Sequence, residues 1–211
     1  MIKAVVFDFD GVIVDGIPLH DKAYVEIFRD IGIDTTVEYL RMKIGKTSKE
    51  VIQEVLDEFS NTTDLATIQE GHLNLLQTYY DKADLSPHLP EFLEMLREKK
   101  IRIALASSTN TAILKSVAKR NNIDTYFEAY IGGELVEKGK PSPEMILKAL
   151  SALDCDPKDA LAIDDAPSGI AAAKSIGMEA IGYTYFSKEV LPDADIVVDD
   201  FLKIPEGLLL T

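Results

Sequence analysis

The sequence predicts a doubly wound α/β protein, a parallel sheet covered by helices on both faces, with an all-helical segment inserted after the first strand. Three observations carry this expectation. Five short apolar runs rich in β-branched residues recur without strict alternation, as strands buried on both faces do. Amphipathic helix patterns separate most of them, which is the rhythm of a parallel βαβ core. Between residues 16 and 86 that rhythm stops and no convincing strand appears.

The first run covers residues 2–7 and gives way to Asp8, Asp10 and Gly11. Three helix patterns follow: HDKAYVEIFRDIG, stopped by Gly32; TSKEVIQEVLDEF, opened by Thr47 or Ser48; and LATIQEGHLNLLQTYY. Hydroxyl residues suit a helix start and glycine suits its end. EFLEMLREKK (91–100) then places Phe92, Leu93 and Leu96 at helical spacing ahead of the second run, 101–106. TAILKSVAKRNN (111–122) does the same with Ile113, Leu114, Val117 and Ala118, and the third run follows at 127–131. In KPSPEMILKAL, Ser142 suits the N-cap, Pro143 the first helical position and Glu144 the positive end of the dipole. The fourth run is 160–163, a helix runs from Ser168 to a stop at Gly177, and the fifth run is 179–183, with a weaker sixth at 195–198. Residues 1–15 and 87–211 are therefore expected to form the α/β core. Residues 16–86 are expected to form a helical cap over the carboxyl end of the first strand.

The chain of 211 residues suits one main domain with an insertion, and 46% hydrophobic with 27% charged residues is a globular composition. Its formal charge is 22 − 36 = −14, and no Lys/Arg-rich stripe occurs. That argues against a nucleic-acid or anionic-membrane partner, which needs a basic footprint. Cys155 is the single cysteine, so no intramolecular disulfide can form, and no apolar stretch reaches membrane-spanning length. A cytoplasmic protein, monomeric by default, is the expectation.

Ligands of open α/β sheets bind beyond the carboxyl ends of the strands, where strand order reverses. The first run delivers Asp8 and Asp10 there, the second Ser107 and Ser108, the fourth Asp164 and Asp165, and Lys140 is the nearest fixed cation in sequence. Singly, each has a structural explanation as a turn, a cap or a surface lysine. Together they put four carboxylates at one site, where they repel one another unless a cation is present. A hard divalent ion with oxygen ligands, Mg²⁺, resolves the conflict.

These residues sit in motifs that resemble those of the haloacid dehalogenase-like hydrolase superfamily, in its subgroup of helical-cap phosphatases and β-phosphoglucomutase-like enzymes. DFDGVIVD resembles the first motif, ALASS the second, GKPSPEM the third and AIDDAPSGIAAAKSIGM the fourth, in the family's order over nearly the whole chain. The resemblance implies a Rossmann-like core in which Asp8 attacks phosphorus to form an aspartyl phosphate and Asp10 serves as general acid and then base. It also implies Mg²⁺ held by the Asp8 and Asp165 carboxylates and the Asp10 backbone carbonyl, with Asp164 assisting directly or through water. Ser107, with Ser108 beside it, would bind a phosphoryl oxygen, and Lys140 would offset negative charge. Members that displace halide do not need the second acid, so the Asp8–Asp10 pair points to phosphoryl transfer.

In related capped enzymes the lid contacts the leaving group, which makes RMKIGKTSKE (41–50), with Gly45, Lys46 and Thr47, the candidate specificity loop. A helix-connecting turn with solvated lysines explains the same residues. His20 is a further candidate cap or substrate residue: it resembles a position near the cap hinge of sugar-phosphate mutases and phosphatases, where a lone histidine supports the hinge or its packing rather than chemistry. The implied activity is a Mg²⁺-dependent phosphatase for a small phosphorylated metabolite, a sugar phosphate or phosphoglycolate-like monoester. A β-phosphoglucomutase-like phosphomutase is the rival, weakened because Gly16 stands where mutases carry a small hydroxyl residue. A receiver-type signalling module is a poorer fit, because receivers are smaller and keep their acid pair and phospho-acceptor on different strands.

Overall fold

The computed structural model describes residues 1–43 and 46–210. Strands β1 (Ala4–Phe7), β2 (Arg102–Ala106), β3 (Ala129–Ile131), β4 (Ala160–Asp164), β5 (Glu179–Tyr183) and β6 (Ile196–Val198) join in one sheet, ordered β3-β2-β1-β4-β5-β6. All five pairings are parallel. The chain runs outward from β1 through β2 to β3, then returns to β4 on the other side of β1. The switch point therefore lies at β1, and Phe7 stands in register with both Leu105 and Ile163. That alignment brings the residues following β1, β2 and β4 to one edge.

The strands are apolar on both faces, but the faces differ. Val5, Phe7, Ile103, Leu105, Leu161, Ile163, Ile181 and Tyr183 point to one side. They pack there against α5 (Leu89–Glu98) and α6 (Thr111–Arg120), with Phe201 completing an aromatic cluster around Phe7 and Phe92. Ala4, Val6, Ala104, Ala106, Ala160, Ala162 and Ala180 point to the other, where small side chains let α7 (Glu144–Ala152) and α8 (Pro167–Ser175) lie close. A period-two bias toward small residues on one face, hidden inside uniformly apolar runs, thus sorts the two helical layers. The chain ends in α9 (Glu206–Leu210).

Helices α1 (Ile17–Asp30), α2 (Val37–Arg41), α3 (Ser48–Glu58) and α4 (Leu65–Tyr80) lie between β1 and α5. They share an apolar cluster of their own, built on Tyr24, Phe28, Leu40, Val51, Ile52, Val55 and Ile68. Leu76 and Tyr80, at the end of α4, belong instead to the cluster under the sheet. The two crossings between core and insertion run side by side: Val14 bridges Leu85, the Ser86 amide donates to the Ile13 carbonyl at 2.8 Å, and its hydroxyl donates to the Val12 carbonyl at 2.6 Å. No helix among the described residues is long and apolar enough to cross a membrane.

Some local expectations shift. Helix α2 has only 5 residues, too few to display a period, and is marked in sequence by Thr36, whose hydroxyl accepts from the Tyr39 amide at 3.2 Å. Helix α5 starts two residues early because Pro90 fits its first turn, with His88 before it at φ 59. At α7, Pro143 rather than Ser142 occupies the N-cap, and the Ser142 hydroxyl still accepts from the Glu144 amide at 3.4 Å. The Glu144 carboxylate turns back to accept from the Glu137 and Lys138 amides at 3.0–3.1 Å, which pins the loop leading to Lys140.

Candidate active site

Asp8 follows the last residue of β1, and its amide donates to the Ile163 carbonyl at 2.8 Å, continuing the ladder for one more residue. The chain then turns tightly, the Gly11 amide donating to the Val14 carbonyl at 2.7 Å. Gly11 has φ +85, a region that favours glycine, and a β-carbon there would overlap the Asp165 carboxylate. The loop can therefore close over the end of β4 only because this position has no side chain.

Three carboxylates meet below that turn. Oxygens of Asp8, Asp164 and Asp165 all lie within 4.8 Å of one another, and all three residues are buried. Lys140 reaches into the cluster from the loop before α7, its Nζ 2.6 Å from Asp8 Oδ1 and 2.6 Å from Asp164 Oδ2. Burial alone would pull the lysine's pKa down, but the charges of Asp164 and Asp8 outweigh it and raise it. Burial pushes the Asp8 carboxyl up to about 7, with Lys140 pulling against it and Asp164 and Asp10 adding to the rise. Asp165, farther from the cation, is pushed up to about 9 by burial and then by Asp164 and Asp8. One lysine does not balance three buried acids, and an all-oxygen donor set with a charge deficit fits a hard divalent cation.

Asp10 has a different environment. Its Oδ2 accepts from the Thr109 hydroxyl at 2.6 Å, with Ser107 Oγ 3.4 Å away, and its Oδ1 accepts from the Tyr80 hydroxyl. His20 Nε2 stands 2.7 Å from Thr109 Oγ1 and 3.5 Å from Asp10 Oδ2. Because Thr109 gives its single proton to the carboxylate, the ring nitrogen facing it must donate, which fixes that nitrogen as N–H. Burial raises the Asp10 carboxyl, but the His20 ring and the Thr109 and Tyr80 hydroxyls overcome it and hold the group below the ordinary carboxylate value.

One cavity of about 110 Å³ collects these groups, lined by Asp8, Asp10, Ser107, Ser108, Lys140, Asp164 and Asp165 from the core. His20, Tyr24, Lys43 and Lys46 line it from the helical insertion. Thr47 is absent from its wall: with Glu50 it forms the capping box that opens α3, its hydroxyl accepting from the Glu50 amide at 3.2 Å. Lys43 and Lys46 both pair with Glu54. Gly45 lies outside the described residues.

The family pattern of the haloacid dehalogenase-like hydrolases matches residues 2–177. The chain is a haloacid dehalogenase-like hydrolase. Among its relatives, a phosphorylated carbohydrates phosphatase of Thermotoga maritima is 30% identical over 180 residues, 85% of this chain and 83% of the relative. The β-phosphoglucomutase of Bacillus subtilis is 32% identical over 188 residues, 85% and 82% of the two chains. The crystal structure of β-phosphoglucomutase from Clostridium difficile superposes with a TM-score of 0.87 at 26% identity, covering 100% of this hydrolase and 96% of that chain.

Two residues around Asp10, Thr109 and Tyr80, escaped sequence reasoning. Thr109 lies two residues beyond Ser107 on the same strand-end loop, and its position there was the available signal. His20, a candidate cap residue in the sequence, borders the cavity and lies 2.7 Å from the Thr109 hydroxyl that holds Asp10. Tyr80 carries no signal at all, since it ends an ordinary amphipathic helix 70 residues from its partner.

Proposed function

We propose that this hydrolase is a Mg²⁺-dependent phosphatase that cleaves a small phosphorylated metabolite, a sugar phosphate or phosphoglycolate-like monoester, through an aspartyl phosphate on Asp8. The observation that carries the proposal is the contrast between two acids one residue apart. Asp8 contacts Lys140 inside a cation-demanding cluster, while Asp10 accepts from the Thr109 and Tyr80 hydroxyls with His20 Nε2 3.5 Å from its Oδ2.

Asp10 stands here as the ionised acceptor that the second half-reaction needs, and it enters the first half-reaction after taking a proton from solvent. There an Asp8 oxygen attacks phosphorus, the bond from phosphorus to the ester oxygen breaks, and Asp10 gives that oxygen the proton. In the second, Asp10 takes a proton from water as the water attacks phosphorus, and the Asp8 carboxylate leaves. Ser107 and Lys140 hold phosphoryl oxygens and offset their charge, so that most of the acceleration is positioning and electrostatics. Asp8, Asp164 and Asp165 would hold Mg²⁺, with the Asp10 carbonyl as a further ligand; when bound, the ion neutralises charge on carboxylate and phosphoryl oxygens. Residues 16–86 act as a cap between the core, 1–15 and 87–211, and the leaving group, supported by the side chains they contribute to the cavity wall.

The similarity to β-phosphoglucomutases favours a second reading, in which the phosphoryl group returns to a sugar. Against it, a side chain at Gly16 would overlap Asp10 and Tyr80 as they stand. The test is release of inorganic phosphate, with Mg²⁺, from a panel of phosphorylated metabolites that includes phosphoglycolate and β-glucose 1-phosphate. Release from one or a few is expected. Formation of glucose 6-phosphate without phosphate release would overturn the proposal in favour of the mutase.

A further inference from the structure

The hydrogen bonds that orient Asp10 come partly from outside the four motifs. Thr109 engages Oδ2 and Tyr80 engages Oδ1, so both oxygens of the carboxylate are held and its plane cannot turn freely. Tyr80 is fully buried, with its ring 5.6 Å from that of Phe9. It is also the last residue of α4, where a helix leaves carbonyls without partners. Here the Tyr80 carbonyl accepts from the Ala83 amide at 3.1 Å, and Arg120, on α6 of the core, adds its guanidinium, which donates to the Tyr80 carbonyl at 2.5 Å and to the Ala83 carbonyl.

Gly16 is the third part. Its backbone, φ −86 and ψ −23, is open to any residue, so conformation does not require glycine. Space does, because a β-carbon at this position would overlap both Asp10 Oδ1 and the Tyr80 hydroxyl.

We infer that Tyr80 is a positioning residue for Asp10, anchored by Arg120 and given access to the carboxylate by the bare backbone of Gly16. The inference rests on the phosphatase reading, in which Asp10 moves the protons. Without the phenol, Asp10 is tethered through Oδ2 alone, and proton delivery to the departing oxygen becomes misaligned. The penalty falls on poor leaving groups such as sugar alkoxides. A nitrophenolate needs no proton to leave, so phosphoryl transfer from its ester to Asp8 bypasses the defect.

The test compares Tyr80→Phe and Gly16→Ala with the unaltered enzyme on the best alkyl phosphate of the panel and on p-nitrophenyl phosphate. Thermal melting and the pre-steady-state burst of nitrophenolate are followed alongside turnover. For both variants the expected result is a fall in kcat on the alkyl ester of about 10- to 100-fold with KM little changed. Melting should be near that of the unaltered enzyme, and the burst should keep its rate. An alkyl-ester kcat within about twofold of the unaltered enzyme, or a burst slowed as much as alkyl-ester turnover, would overturn the inference. If the unaltered enzyme releases no phosphate from any ester, the phosphatase reading fails and the inference falls with it; the preceding outcomes overturn the inference alone.

Discussion

Asp8 and Asp10 are separated by Phe9, whose ring is fully buried, and this spacing sends the two carboxylates toward different partners. That pair, the Ser107–Ser108 step, Lys140 and the Asp164–Asp165 pair were all legible because strand ends can be located from apolar runs, and polar residues just beyond them have little else to do. Tyr80 and Thr109 were not, since a hydroxyl acquires meaning only through what tertiary packing sets opposite it. Lys140 is the cation that the described side chains bring against Asp8 and Asp164, so Lys140→Ala should lower kcat by about 10²- to 10³-fold, the scale of losing one well-placed electrostatic donor. Steady-state turnover checks this, and a kinetically silent variant would remove Lys140 from the mechanism.

At the level of elements, α3 shows a candidate site residue that also has a local structural role. Thr47 in the sequence sits amid lysines in a candidate specificity loop, yet its hydroxyl caps α3 and the Glu50 carboxylate returns to the Thr47 amide at 2.6 Å. The same carboxylate lies 3.3 Å from the Gly139 amide, one residue before Lys140, so the start of α3 also touches the core loop that carries the cation. Thr47→Ala should therefore cost about 1 kcal/mol of stability, the usual value of an N-cap hydroxyl, measurable by denaturant unfolding. No loss of stability would contradict the capping role. The Thr47–Glu50 box was readable from its spacing alone, whereas the shift of the α7 cap from Ser142 to Pro143 was not, because the competing partner of Glu144 is a loop seven residues earlier.

Across the whole molecule, parallel order was legible from uniformly apolar runs, whereas the switch at β1 was not, because it is set by the crossover that carries the chain from β3 past β1 to β4. Charge is where the parts meet: a chain of net −14 keeps a nearly uncompensated carboxylate cluster at its centre. Asp8 and Asp165 both have folded pKa values raised above the ordinary carboxylate value, so each takes up a proton on folding. The sign follows from linkage: their contribution is most favourable below the unfolded pKa and is lost as pH rises toward about 7 for Asp8 and about 9 for Asp165. Chelator-treated protein should therefore lose melting temperature as pH rises from about 5 to 9, and Mg²⁺ should flatten that slope. Parallel melting curves with chelator and with Mg²⁺ would contradict a cation site at this cluster. Turnover should vanish in excess chelator and return with Mg²⁺.

The most direct measurement is acid quenching of the enzyme during turnover, followed by mass-spectrometric mapping of the phosphorylated peptide, with Asp8→Asn as the control. A single phosphoryl group on Asp8, together with a folded but inactive Asp8→Asn variant, is the predicted result. Phosphate release by Asp8→Asn, or a phosphoryl group mapped to any other residue, would contradict the aspartyl-phosphate mechanism.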